Sequence, residues 1–345
     1  MDMIKAALDL RRAETRRTWP PRLLALALQG GGSFGAFTWG ALDRLLEDER
    51  IAFDAFSGAS AGAVNAVLLA SGLAQDGRAG ARKNLDDFWS HVSQTTLFLP
   101  KAVSLQLGFL ARALSPYQFN PFDLNPLRKA LEAHVDFDRL RASSAPRLLI
   151  AATRVADARL RIFRNEELTV DAVLASACLP LLHHTIEIGG EAYWDGGYVA
   201  NPPLTPLVAE TDASDVLVIQ IAPTRAQAVP RSRREIEHRI DQINFTSTLD
   251  REIEAIRLLA PLCAAGDHSG KWAKLRLDRI AAENEVEQLA EASPGNLDWS
   301  FISSLRDAGR AAANAWIEQS DDPAAMELDA AAKSFDEAPA QPFDG

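Results

Sequence analysis

Within residues 23–75 the chain twice passes from an apolar run, through a turn of very small residues, into an apolar stretch of helical character. The first passage runs "LLALALQ", "GGGSFG", "AFTWGALDRLL"; the second runs "IAFDAFSG", "ASAG", "AVNAVLLASG". A run as continuously apolar as Leu23–Gln29 suits a strand buried on both faces. Strand–helix–strand–helix at such short spacing calls for parallel strands joined by helical crossovers. The predicted fold class is therefore α/β: a central, mostly parallel sheet flanked by helices on both sides. Two uncharged runs, Leu23–Leu42 and Ala55–Gln75, are long enough for a bilayer. Both are interrupted by Gly and Ser clusters and read as buried strand–turn–helix units instead.

Further along, the pattern predicts helices over 81–95, 124–135 and 171–180, the last stopped by Pro180. Strands are predicted at 147–155, 159–163, 215–223 and 274–280. Isoleucines at 236, 240, 243, 253 and 256 predict a long amphipathic helix over 236–259. Residues 97–122 are apolar but irregular, and fit either a lid over an apolar pocket or a satellite core. The first 20 residues, with Arg11, Arg12, Arg16 and Arg17, predict a basic helix or arm closed by Pro20 and Pro21. Residues 321–345 hold seven acids and one lysine among Ala and Pro, the composition of a disordered tail. Between them, 21–320 is expected to form one domain.

The net charge of −11 argues against nucleic acid as a partner. Two cysteines, Cys178 and Cys263, suggest neither zinc nor a required disulfide, and a reducing, cytoplasmic setting is the simple expectation. No secretory signal is read at the charged N-terminus.

"GASAG", residues 58–62, is a G-x-S-x-G pentad between a predicted strand and a predicted helix, the context of a nucleophile elbow. Ser60 would stand on the turn. Gly58, Ala59, Ala61 and Gly62 are small enough to let strand and helix pack closely. The loop Gly30–Gly35 follows the neighbouring strand, so both loops emerge at one edge of a parallel sheet. The N–H groups of Gly30, Gly31, Gly32, Ser33, Phe34 and Gly35 can then hold a negative charge developing beside Ser60. Gly30, Gly32 and Gly35 also satisfy a dinucleotide fingerprint. The second strand, however, runs into the serine turn and not into an acid suited to a ribose.

A serine nucleophile needs a base. The six histidines, His91, His134, His183, His184, His238 and His268, sit in no loop signature. Asp195 in "WDGG" is the better candidate, with Gly196 and Gly197 turning the chain away from it. Trp194 beside it is either a shield or a core residue.

"GGGSFG" (30–35), "GASAG" (58–62) and "DGG" (195–197), in this order, resemble the patatin-like acyl hydrolases, over roughly residues 23–223. "ASACLP" (175–180) and "DGGYVANPPL" (195–204) resemble the family's surroundings for the aspartate. The resemblance implies a three-layer α/β sandwich and a Ser60–Asp195 dyad without histidine. It also implies a backbone oxyanion hole and a lipid or other acyl-ester substrate. The absence of an uninterrupted membrane span leaves peripheral contact with a membrane as the expectation, and the dyad chemistry calls for no metal or organic cofactor. The family often carries Arg or Lys where this chain has Phe34, which weakens the case for phospholipid over neutral ester. Two alternatives stand beside the dyad. One is an esterase with a Ser–Asp–His triad. The other is a non-catalytic lipid- or protein-binding module of the same fold.

Overall fold

The computed structural model describes residues 22–95, 114–142, 145–222, 229–266, 271–282 and 295–320. The basic arm 1–20, most of the 97–122 segment and the acidic tail fall outside these residues.

Strand β1 (Arg22–Leu28) shows why the first apolar run folds as it does. Leu24, Leu26 and Leu28 belong to one apolar cluster, Ala25 and Ala27 to another, and all five are fully buried. Side chains alternate across a strand, so the leucines feed one face of the sheet and the alanines the other. A helical layer covers each face. On the leucine face lie α1 (Gly35–Leu46), α2 (Ala61–Thr95), α3 (Pro126–His134), α4 (Val170–Ser176) and α7 (Trp299–Ser320). On the alanine face lie α5 (Leu204–Glu210) and α6 (Arg233–Gly266). This is the expected three-layer α/β sandwich.

The remaining strands are β2 (Ile51–Gly58), β3 (Arg147–Arg154), β4 (Leu160–Phe163), β5 (Ile186–Ile188), β6 (Glu191–Asp195), β7 (Asp215–Gln220) and β8 (Arg276–Ala281). Hydrogen-bonded neighbours run β5-β6-β3-β2-β1-β7-β8, with β4 paired to β3. The β3-β2-β1-β7-β8 part is parallel; β4, β5 and β6 are antiparallel additions.

Three elements depart from the sequence pattern. The helices expected at 61–72 and 81–95 are one element, α2, kinked at Asp76 and Gly77, where Gly77 has φ +59°. Helix α7 was not expected at all. It packs so tightly on α1 that a Cβ at Gly40 would collide with the Arg306 carbonyl, and one at Gly309 with the Phe37 carbonyl. In α6, Leu249 and Ile256 are buried, but Ile236, Ile240 and Ile243 lie exposed.

The register around β3 positions everything that follows. Ile150 faces Gly58 of β2 on one side and Phe163 of β4 on the other. Ala152 faces Arg161 of β4 and Asp195 of β6. Strands β2 and β6 therefore lie on the same edge of β3 and point at each other. Strand β2 ends at Gly58 and β6 at Asp195, opposite β3 residues two positions apart.

Candidate active site

Two strand ends that meet head-on bring their outgoing turns together. From β2 the chain turns through Ala59 and Ser60 into α2. Ser60 has φ +53°, the left-handed conformation that an elbow imposes and that serine rarely adopts. The close packing behind this turn depends on Gly62, whose added Cβ would strike the Leu28 carbonyl. The Ser60 N–H is pinned at the C-terminus of α4, 3.1 Å from both the Ser176 carbonyl and its Oγ.

From β6 the chain delivers Asp195, which is fully buried. Its Oδ1 accepts the Gly197 N–H at 2.7 Å, and the Thr153 hydroxyl donates to its carbonyl at 2.7 Å. Its Oδ2 has no hydrogen-bond partner. Burial pushes the Asp195 pKa up to about 7, and the Gly197 N–H and the nearby Ser60 hydroxyl pull it partly back. The Ser60 hydroxyl thus lies against the carboxyl without a formed hydrogen bond to Oδ2. Such an arrangement leaves one carboxylate oxygen available to take a proton at neutral pH. Trp194 precedes Asp195 on the strand and so faces the opposite way. Its indole donates to the Thr185 hydroxyl at 3.0 Å, and it packs against the leucine-face core.

The glycine loop does not offer all its donors. The Gly30 N–H is taken by Asn201 Oδ1 at 2.7 Å, Phe34 N–H by the Gly31 carbonyl, and Gly35 N–H by the carbonyls of Gly32 and Ser33. These three are not available to an oxyanion in this structure, which narrows the expected set. The N–H groups of Gly31 and Gly32 have no acceptor among the described residues. Neither has that of Ala61, the first residue of α2, where a helix leaves its N–H groups unpaired. Gly32 has φ +59°, and Gly32, Ser33, Ser60 and Ala61 line one cavity. Phe34 does not line it. Its ring is buried edge-on against Phe301 of α7, 6.2 Å between centroids.

That cavity encloses about 350 Å³, within the usual size of small-molecule sites. Its walls are apolar: Val64, Phe88 and Trp89 from α2, Leu127 from α3, and Leu179 and Leu297. Trp89 donates its indole N–H to Asn65 Oδ1 at 3.1 Å, and Asn65 Nδ2 donates to the Gly35 carbonyl at 2.9 Å. The wall and the glycine loop are thereby held by one buried amide.

Of the histidines, His183 is also on the cavity wall, with a pKa lowered by burial, and its ring makes no hydrogen bond among the described residues. His184 contacts the Pro116 carbonyl, and His91 and His134 contact each other. The His238 side chain and His268 lie outside the described residues. Sequence reasoning missed Asn201 as a site-building residue. Fully buried in "VANPP", it clamps Gly30 from both sides and also donates to the Phe245 carbonyl of α6 at 3.0 Å.

The model of one family, described as patatin-like phospholipase, matches residues 26–208, more than half of the chain. No curated protein matches the sequence. Among solved structures, VipD from Legionella pneumophila is similar over 84% of this chain and 67% of its own, at 17% identity and a TM-score of 0.39. The heterodimeric ExoU–SpcU complex from the type III secretion system of Pseudomonas aeruginosa is similar over 87% of this chain and 52% of that one. Identity there is 16% and the TM-score 0.41.

Proposed function

The chain belongs to the patatin-like phospholipase family, and from that premise we propose that it hydrolyses a fatty-acyl ester of a lipid with Ser60 as nucleophile and Asp195 as base. The observation that carries this reading is the Asp195 carboxyl. It is fully buried, has one unpartnered oxygen and a pKa near neutrality, and sits where β6 runs into the Ser60 turn.

In this reading the acyl chain enters the apolar cavity and its ester carbonyl settles over Ser60. Asp195 Oδ2 takes the hydroxyl proton as Oγ attacks. The N–H groups of Gly31, Gly32 and Ala61 receive the oxyanion, a preorganised arrangement that stabilises the transition state more than the substrate. Collapse of the tetrahedral intermediate breaks the ester bond. Asp195 returns its proton to the departing alcohol, leaving an acyl-enzyme. A water then gives its proton to Asp195 and attacks the acyl carbon, releasing the fatty acid and restoring Ser60.

His183 supports a second reading, because it alone among the described histidines lines the cavity. A fluorophosphonate probe separates the possibilities. Labelling of the wild type and of His183→Ala, with none of Ser60→Ala, supports the dyad. Loss of labelling in His183→Ala moves the base to that histidine. Labelling that persists in Ser60→Ala refutes both.

A further inference from the structure

The two segments that lead into the cavity wall at Pro126–Leu127 and at Leu182–His183 carry large apolar side chains that the fold leaves in water. Phe122 is 84% exposed, Leu124 71% and Leu181 76%; Tyr117 and Leu182 are more than half or half exposed. They come from two segments that are tied together. Tyr117 and His184 pack with ring centroids 4.2 Å apart, and the Tyr117 hydroxyl accepts the Thr185 N–H at 3.2 Å. His184 Nε2 meets the Pro116 carbonyl at 3.2 Å, and its Nδ1 lies 3.9 Å from Asp123 Oδ1. Each segment runs directly into the cavity wall, one at Pro126 and Leu127, the other at Leu182 and His183. The apolar rim is thus continuous with the apolar interior.

Exposed apolar groups clustered this way mark an interaction surface. What they would meet is set by the cavity that their segments lead into. A lipid whose acyl chain enters past this rim leaves the rest of its aggregate against Phe122, Leu124 and Leu181. The net charge of −11 gives no general electrostatic pull toward an anionic surface. We infer that this rim docks on a neutral, zwitterionic lipid surface, with Phe122, Leu124 and Leu181 entering the interface. The inference rests on the lipid-hydrolase reading above, and it adds the physical state of the substrate, an aggregate instead of a dispersed monomer.

The test uses the full chain carrying Ser60→Ala, so that vesicles are not consumed. It should float with phosphatidylcholine vesicles, and the bound fraction should be insensitive to added salt, because apolar insertion is not screened. Adding Phe122→Asp and Leu181→Asp should weaken partitioning by about tenfold or more. In the chain with Ser60 intact, the same pair of changes should leave kcat/KM on a water-soluble butyrate ester unchanged. It should cut turnover of vesicle lipid by a similar factor. Undiminished vesicle binding by the double variant overturns the inference. So does binding that salt abolishes, or an equal fall on both substrates. A wild-type dimer that the two aspartates split would assign the rim to a second copy of the chain and overturn it as well. If the wild type fails on the soluble ester, the hydrolase reading falls, while Ser60→Ala flotation still reports on the docking.

Discussion

Replacing Asp195 by asparagine should do two opposite things: abolish ester hydrolysis and stabilise the fold at neutral and higher pH. The carboxyl titrates near 3.8 when unburied and is pushed up to about 7 in the fold, by burial. Between those values the folded chain holds a proton that the unfolded chain has released. Wild-type stability is then full at low pH, falls as pH rises through this window, and levels off above it. The gap corresponds to about 4 kcal/mol, since the group is fully buried and little screened. Asparagine keeps the shape and never ionises. Its Oδ1 can still accept the Gly197 N–H, and its Nδ2 can donate to the Ser60 hydroxyl. If that second bond forms poorly, a buried unsatisfied amide takes back about 1–3 kcal/mol. Urea unfolding of both proteins should therefore show Asp195→Asn more stable by about 1–4 kcal/mol at about pH 8, and matched or less stable at about pH 4. Hydrolysis by Asp195→Asn should be lost at both. A stability difference that does not grow with pH would refute the buried-charge argument. Substantial turnover by the variant would refute the base assignment.

Wild-type kcat/KM should rise with pH through about 7, because only the ionised Asp195 can take a proton; a profile flat across that range argues against it. Gly32→Val places a β-branched residue at φ +59° and should lower kcat by roughly 10²-fold, with KM much less affected; steady-state kinetics on one soluble ester decides. Leu127→Trp narrows the cavity and should depress turnover of long-chain esters while sparing an acetate ester, a ratio that would stay constant if the acyl chain lies elsewhere. Phe34→Arg should lower the melting temperature and slow phospholipid and neutral ester alike, because Phe34 is buried against Phe301 and an unpaired guanidinium there is costly; a selective gain on anionic phospholipid would restore the specificity role suggested by the sequence.

The central strands were legible because both their faces are buried: Leu23–Gln29 and the run at 215–223 are apolar without alternation, and they became β1 and β7. The pentad at 58–62 and Asp195 were legible as motifs, and the register on β3 brings their strand ends together. The fate of the Gly30 N–H was not legible. Its acceptor, Asn201, stands 171 residues away in sequence, and no local pattern encodes that distance. Helix α7 carried a readable stripe at Ile302, Leu305, Ala313, Trp316 and Ile317, diluted by the serines and alanines between them and by Gly309, which packs closely on α1. The helices expected at 61–72 and 81–95 are joined because the chain resumes its helical course after two non-helical residues, Asp76 and Gly77.

The meeting of β2 and β6 along β3 has a consequence for how such a chain can diversify. The separation of the serine and the aspartate is gauged by one intervening residue of β3, Ala151, paired with Ile162 of β4 and flanked by Ile150 and Ala152, which pair with the two strand ends. The cavity walls come from helices and connecting segments outside the sheet. The size and shape of the pocket can therefore be retuned by changing those segments, while the spacing of Ser60 and Asp195 stays fixed. Conversely, an insertion or deletion in the few residues around Ala151 would throw the two groups out of step, however well the pocket was kept.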